Sequence, residues 1–347
     1  MKARSIGVLV IAMLTMSACS TSTSSTTSSI SASAGSLGAD QLTRVIDQVG
    51  YTPKPPNGGT DDYRCFLIDP GLNEDRYLTG VTFLPSNEDV VHHAILFKVP
   101  ADLTDEAQSA DDSAAGPGWT CFGDAGIPSH DRGIDALNDA AWLAAWAPGG
   151  EPDKMPEGTG VLLERGSKIV LQVHYNTLFG SGLDKTAVEL TTSPRSADLA
   201  ELKTMLIPAP VELPCTPEES GPLCDRKKAV ARTITLYGPE LGRTIDGLQL
   251  LCGGDPAHPK PGNTQSCTRT VKRPMTIRAA AGHMHLLGAS TAITANVDGS
   301  DTTVIDLPKW DFNDQRARSV TPPIVLAAGD TITVTCTHDA ALRSQLK

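Results

Sequence analysis

The residues in this chain best suited to chemistry are histidines. His283 and His285 are separated by one residue in MTIRAAAGHMHLLG. On an extended strand, positions i and i+2 project from the same face, so two ring nitrogens converge on one point. His92 and His93 are adjacent in DVVHHAILFKV, and His174 lies in GSKIVLQVHYN; both contexts are apolar and β-branched. Five of the eight histidines fall in these three segments, which makes metal ligation the chemistry to consider. Imidazole donors without carboxylates suit copper or zinc and disfavour magnesium, calcium and most non-haem iron sites. A regular strand would turn His92 and His93 to opposite faces. Both reach one ion only if the strand bulges there or if they use different ring nitrogens; the plain alternative is one core and one surface histidine. His338 is expected on a loop, and His130 and His258 in solvated Ser/Pro/Gly-rich loops.

The elements that must position these groups read as short, alternating strands. YLTGVTFL, VVHHAILFKV, KIVLQVHY, TITLYG, STAITANV, TTVIDL and TITVTC are separated by turn clusters such as Pro85-Ser86-Asn87 and Asp298-Gly299. One helical piece is expected, around Ile134 to Trp146. With 25 prolines and 31 glycines, the pattern predicts an all-β protein built of sandwiches. An internal echo adds to this. LLERGSKIVLQVHYNT (Leu162 to Thr177) can be laid on VLAAGDTITVTCTHDA (Val325 to Ala340), with Gly166 on Gly329 and Ile169 on Ile332. Each segment reads as a tight turn feeding a half-buried strand, and the echo predicts two similar domains, 39–205 and 206–347.

The chain opens with an export signal. Lys2 and Arg4 precede an apolar run from Ile6 to Met16 that ends in Ser17-Ala18-Cys19. This arrangement resembles a bacterial lipoprotein signal over residues 1–19, with Cys19 as the lipidated residue and the outer face of a membrane as the location. A plain secreted protein is the alternative. Residues 20–38 are almost entirely Ser, Thr, Ala and Gly and read as a flexible tether. No other segment approaches the ~20 apolar residues of a membrane span, so the lipid would be the only anchor. A net charge of −11 argues against nucleic acid or an anionic membrane surface as partner. Seven cysteines follow Cys19, and in an exported chain they predict disulfides. Cys215–Cys224 and Cys252–Cys267 read as local staples, Cys65 and Cys121 are left for each other, and Cys336 has no partner. An odd cysteine signals either a free thiol or a missing segment.

The order His-His, then Gln-Val-His-Tyr, then His-x-His resembles the type II copper, ascorbate-dependent monooxygenases, the family of peptidylglycine α-hydroxylating monooxygenase and dopamine β-monooxygenase. The resemblance covers VVHHAILF, AWAPGGEPDKMPEGTGVLLERGSKIVLQVHYN, GHMHLLG and AAGDTITVTC, from about Tyr63 to Cys336. It implies two tandem jelly-roll-like β-sandwich domains, one copper in each, with ascorbate or a similar donor supplying electrons. His92, His93 and His174 match the copper site that stores and delivers an electron. His283 and His285 match two ligands of the copper where O2 binds and an aliphatic C–H of a small-molecule substrate is hydroxylated. Gln172, beside His174, belongs to the resemblance as a cofactor-site residue. Two departures matter. The family's carboxylate-gripping arginine falls on Ala281, so peptide amidation is not expected. The family's methionine ligand lies beyond the strand matching TITVTC, in a segment that also holds the partner of the cysteine matching Cys336; the chain is therefore expected to be incomplete there. Met284 and Met275 are expected to be packing residues. The competing function is an exported copper-binding lipoprotein without turnover, and a weaker one is a sugar- or protein-binding sandwich with incidental histidines.

Overall fold

The computed structural model describes residues 42–345 except 57–58, 123, 128–141, 238, 286 and 313. Cys19, expected to be lipidated, the expected tether, His130 and most of the helix expected around Ile134 lie outside the described residues. Residues 39–347 belong to one compact unit.

The strands of the first half are β1 (Leu42–Asp47), β2 (Asp61–Ile68), β3 (Arg76–Leu84), β4 (Val91–Val99), β5 (Trp119–Thr120), β6 (Trp142–Trp146), β7 (Asp153–Lys154), β8 (Thr159–Leu163), β9 (Lys168–Asn176), β10 (Ala187–Pro194) and β11 (Ala200–Glu201). Helix α1 (Thr104–Asp112) follows β4. One sheet runs β1-β10-β3-β8-β11, with β7 also on β3, and a second runs β5-β2-β9-β4-β6. Leu78, Val81, Leu163, Val188 and Leu190 of the first sheet meet Phe66, Leu96, Leu171, Val173 and Tyr175 of the second in one buried core. The far face of the second sheet is covered too. There Ile95, Phe97, Val99 and Val170 pack with Leu103 and Ala107 of the α1 region and with Trp119. This double cover explains why KIVLQVHYN is buried along almost its whole length instead of alternating.

The second half carries α2 (Arg226–Tyr237) and α3 (Pro239–Leu251), then β12 (Thr264–Thr270), β13 (Met275–Ala280), β14 (Gly288–Val297), β15 (Ser300–Leu307), β16 (Arg318–Leu326) and β17 (Thr331–His338). A four-stranded sheet, β12-β17-β14-β15, and a pair, β13-β16, enclose Ala295, Leu326 and Ile332. The antiparallel sheets bear out the all-β expectation. Every strand pairing joins two strands within 42–201 or two within 264–338. The echoed turns both place glycine at positive φ, Gly166 at 79° and Gly329 at 105°, where a side chain would be strained.

Three expectations are corrected. Thr233 to Tyr237 of TITLYG lie in α2, not in a strand: the run follows Arg226-Lys227-Lys228-Ala229, good helix formers that carry it into the helix. Trp142–Trp146 is strand β6 paired with β4, so the described end of the expected helix is extended. His338 ends strand β17 opposite Gly288 rather than lying on a loop.

Candidate metal centre

The first histidine group is built by three neighbouring strands. β4 and β9 pair as Val91↔Tyr175 and His93↔His174, skipping His92: the strand bulges at the histidine pair. The extra residue lets both consecutive rings turn toward His174. On β9, Val170, Gln172 and His174 share the face that leads from the second core outward, while Leu171, Val173 and Tyr175 fill the main core. On β2, Tyr63 lies opposite His174 and Cys65 opposite Gln172.

The rings converge through one kind of atom. His92 Nδ1 is 3.1 Å from His174 Nδ1, and His93 Nδ1 is 3.2 Å from it. One donor atom from each of the three residues falls within 4.8 Å of the others, a group that could hold a metal ion and the one such group among the described residues. Two imidazoles sharing an ion at ~2.0 Å, at roughly 90–120°, place their nitrogens about 2.8–3.5 Å apart, so the two separations from His174 fit. The far side of His174 decides its tautomer. Its Nε2 is 2.9 Å from Asp61 Oδ1, and a carboxylate only accepts, so Nε2 carries the proton and Nδ1 keeps its lone pair. Burial raises the Asp61 pKa, but hydrogen bonds from Asn176, His174 and Thr60 outweigh it and hold the carboxyl below its usual range. Tyr63 stacks flat on His174, with ring centroids 4.1 Å apart and planes within 2°.

The same crowding keeps the imidazoles neutral. Burial pushes His174 down to about 4 despite the opposing Asp61 bond. Burial, reinforced by the neighbouring histidines, takes His93 to about 2, and burial lowers His92 as well. Neutral rings keep the lone pairs that an ion needs.

Gln172 is not open to a bound molecule. It is 1% exposed, and its Nε2 donates to Asp124 O at 2.7 Å and lies 3.4 Å from Cys121 Sγ. It packs against the Cys65–Cys121 disulfide beneath the histidines. That bond, Cys215–Cys224 and Cys252–Cys267 are all formed, as expected, and Cys336 is a free, half-buried thiol. Three disulfides suit an oxidising, exported setting. Among the described residues no helix is long and apolar enough to cross a membrane.

His283 and His285 stand beyond the end of β13, which stops at Ala280, so the expected strand is absent there. The strand ends with its pairing, since its partner β16 begins at Arg318 opposite Ala280, and just beyond it Gly282 packs so closely that a Cβ on it would lie 2.5 Å from Thr291 Cγ2. The rings still sit side by side, centroids 5.2 Å apart at 83°. Each keeps an edge open to solvent, while the protein packed around them lowers both pKa values. Met284 between them is 4% exposed, and Met275 packs at the edge of the second-half core; both are packing residues as expected. Ala281 is exposed beside the pair. His258 is exposed and paired with Asp255.

The two histidine groups face each other. His93 is within electrostatic reach of both His283 and His285, and Trp142 on edge strand β6 meets His283 with centroids 5.5 Å apart. Phe312 stacks on His92 at 5.2 Å, and Gln315 Oε1 lies 2.6 Å from His283 Nδ1. Asp61, Tyr63, Trp142, Phe312 and Gln315 did not emerge from the sequence. The Asp-x-Tyr-x-Cys alternation of β2 was the one available signal, since it puts Asp61, Tyr63 and Cys65 on one face. Compared with known proteins, the chain matches no family model and no curated protein.

Proposed function

We propose that this chain is an exported copper-dependent monooxygenase that hydroxylates an aliphatic C–H of a small organic substrate, drawing electrons from ascorbate or a similar donor. The observation that carries the reading is the convergence of His92, His93 and His174 through Nδ1, with Asp61 fixing the proton on the far nitrogen of His174. An all-imidazole donor set suits copper and supports both of its common oxidation states. When bound, copper would supply one-electron transfer and activation of O2, with two electrons and two protons turning O2 and a C–H bond into an alcohol and water.

The residues of the chain divide the work. Asp61 holds the His174 Nε2 proton and keeps Nδ1 directed inward. Tyr63 fixes the His174 ring plane, and Phe312 shields the outer face of His92 from water. His283 and His285 offer two further donors, with solvent-open edges where a substrate can approach. The resemblance to the ascorbate-dependent monooxygenases supports the catalytic part of this reading, and anchoring through a lipid on Cys19 is part of the same proposal.

A second reading, a copper-binding lipoprotein without turnover, is favoured by the second pair: among the described residues no third His, Cys, Asp or Glu joins His283 and His285 in a metal-ligand group. Metal analysis and oxygen uptake separate the two. The parent protein is expected to bind copper and His174→Ala to lose about one equivalent with the fold intact. Equal copper in both would sink the metal reading. Ascorbate- and substrate-dependent O2 consumption supports the enzyme, and copper binding without it supports the carrier.

A further inference from the structure

A single loop touches both histidine groups, and its geometry settles an ambiguity at the second. Gln315 Nε2 donates to the carbonyl of Phe312 at 2.8 Å; a carbonyl cannot donate, so this contact fixes which way the amide faces. Its Oε1 is therefore the atom that lies 2.6 Å from His283 Nδ1. An amide oxygen only accepts, so His283 Nδ1 must carry the proton, and Nε2 is left as the free lone pair. The loop itself is held by Asp314, which accepts from Arg318 at 2.8 Å. Its Phe312 ring lies against His92.

We propose that Gln315 is a positioning residue for His283: it holds the proton on Nδ1, presents Nε2 to a metal ion shared with His285, and belongs to the loop that lays Phe312 on His92. The inference rests on the reading of His283 and His285 as metal ligands. The physical cause is the one that operates at His174, where an acceptor behind the ring selects the tautomer and holds the ring plane. The acceptors differ, however. His174 is backed by a carboxylate and His283 by a neutral amide, so the two groups would offer donors of unequal basicity.

The test uses the full chain with copper(II) as probe. The first site is filled, and the second equivalent is titrated against a competing chelator. Gln315→Leu, which keeps the bulk and removes the acceptor, is expected to weaken the second equivalent about 10–100-fold and leave the first unchanged. Gln315→Glu restores an acceptor and should recover most of the loss. Spin-echo modulation from the remote, protonated imidazole nitrogen should change in Gln315→Leu alone. Phe312→Leu, on the same loop but without a contact to His283 Nδ1, should leave the second affinity as it was. Unchanged second-site affinity in Gln315→Leu overturns the proposal, as does an equal loss in Phe312→Leu, which would make loop integrity the cause. His283→Ala separates this failure from that of the wider reading. If His283→Ala abolishes the second equivalent and Gln315→Leu does not, only the positioning role falls; if the parent binds no second ion, both fall.

Discussion

Asp61 shows how much of this site is decided by one atom behind a ligand. Its carboxylate does not point at the cluster; it accepts the hydrogen bond from His174 Nε2–H and so determines that the other nitrogen faces His92 and His93. Asp61→Asn leaves a group that can still accept, but the charge that makes the imidazole more basic is gone. The first-site copper affinity should fall about 10–100-fold, read by chelator competition, with an unchanged circular dichroism spectrum. An unaltered affinity would show that Tyr63 and the bulge alone orient the ring. The histidines themselves were legible because imidazole is scarce in this chain and clusters in strand-like contexts. Asp61 and Gln315 were not, since nothing local marks a residue whose importance comes from a partner 113 or 32 positions away.

At the scale of elements, the bulge in β4 and the early end of β13 position the two groups. The bulge was foreseeable as a condition: two adjacent histidines cannot share a site on a regular strand. The end of β13 was not, because MTIRAAAGHMHLLG continues a strand-like composition past the point where tertiary contact takes over. The strand ends where its partner β16 begins, at Arg318 opposite Ala280, and Gly282 beyond it has no room for a side chain between Thr291, Leu307 and Trp310. Gly282→Ala should force that wall apart, costing about 1–3 kcal/mol in denaturant unfolding. It should also displace His283 and His285 while sparing the first group. A neutral effect on stability would mean that the neighbouring side chains yield freely. The misread TITLYG teaches the same point from the other side: alternation over six residues cannot be told from helix when the flanks favour helix. Cys215–Cys224 and Cys252–Cys267, by contrast, were legible from spacing, and Cys65–Cys121 as the pair left over.

For the whole molecule, the neutral histidines make the metal-free protein sensitive to acid. His174 has its folded pKa lowered from 6.5 to about 4, and His93 is lowered further. Between these values the unfolded chain binds more protons than the native one, so stability rises with pH across the window and falls as pH drops from about 6.5 through about 4. Asp111, Asp124 and Asp153, whose pKa values are raised mainly by burial, act in the opposite sense near the acid end and offset part of the loss. Urea unfolding of the metal-free protein at pH 7 and pH 4.5 should show the lower midpoint at pH 4.5; equal midpoints would mean that the imidazoles charge without cost. The separation of the first group along the chain has a further result. His174 meets His93 across 81 residues, His92 across 82 and Asp61 across 113. Contacts that distant form late, after the loops between them have closed. Of this first group, the unfolded chain offers an ion only the adjacent pair His92-His93, which gives it little purchase before β2, β4 and β9 come together. An ion held there would act on the clock of unfolding more than on that of folding, lengthening the lifetime of the finished molecule without guiding its assembly.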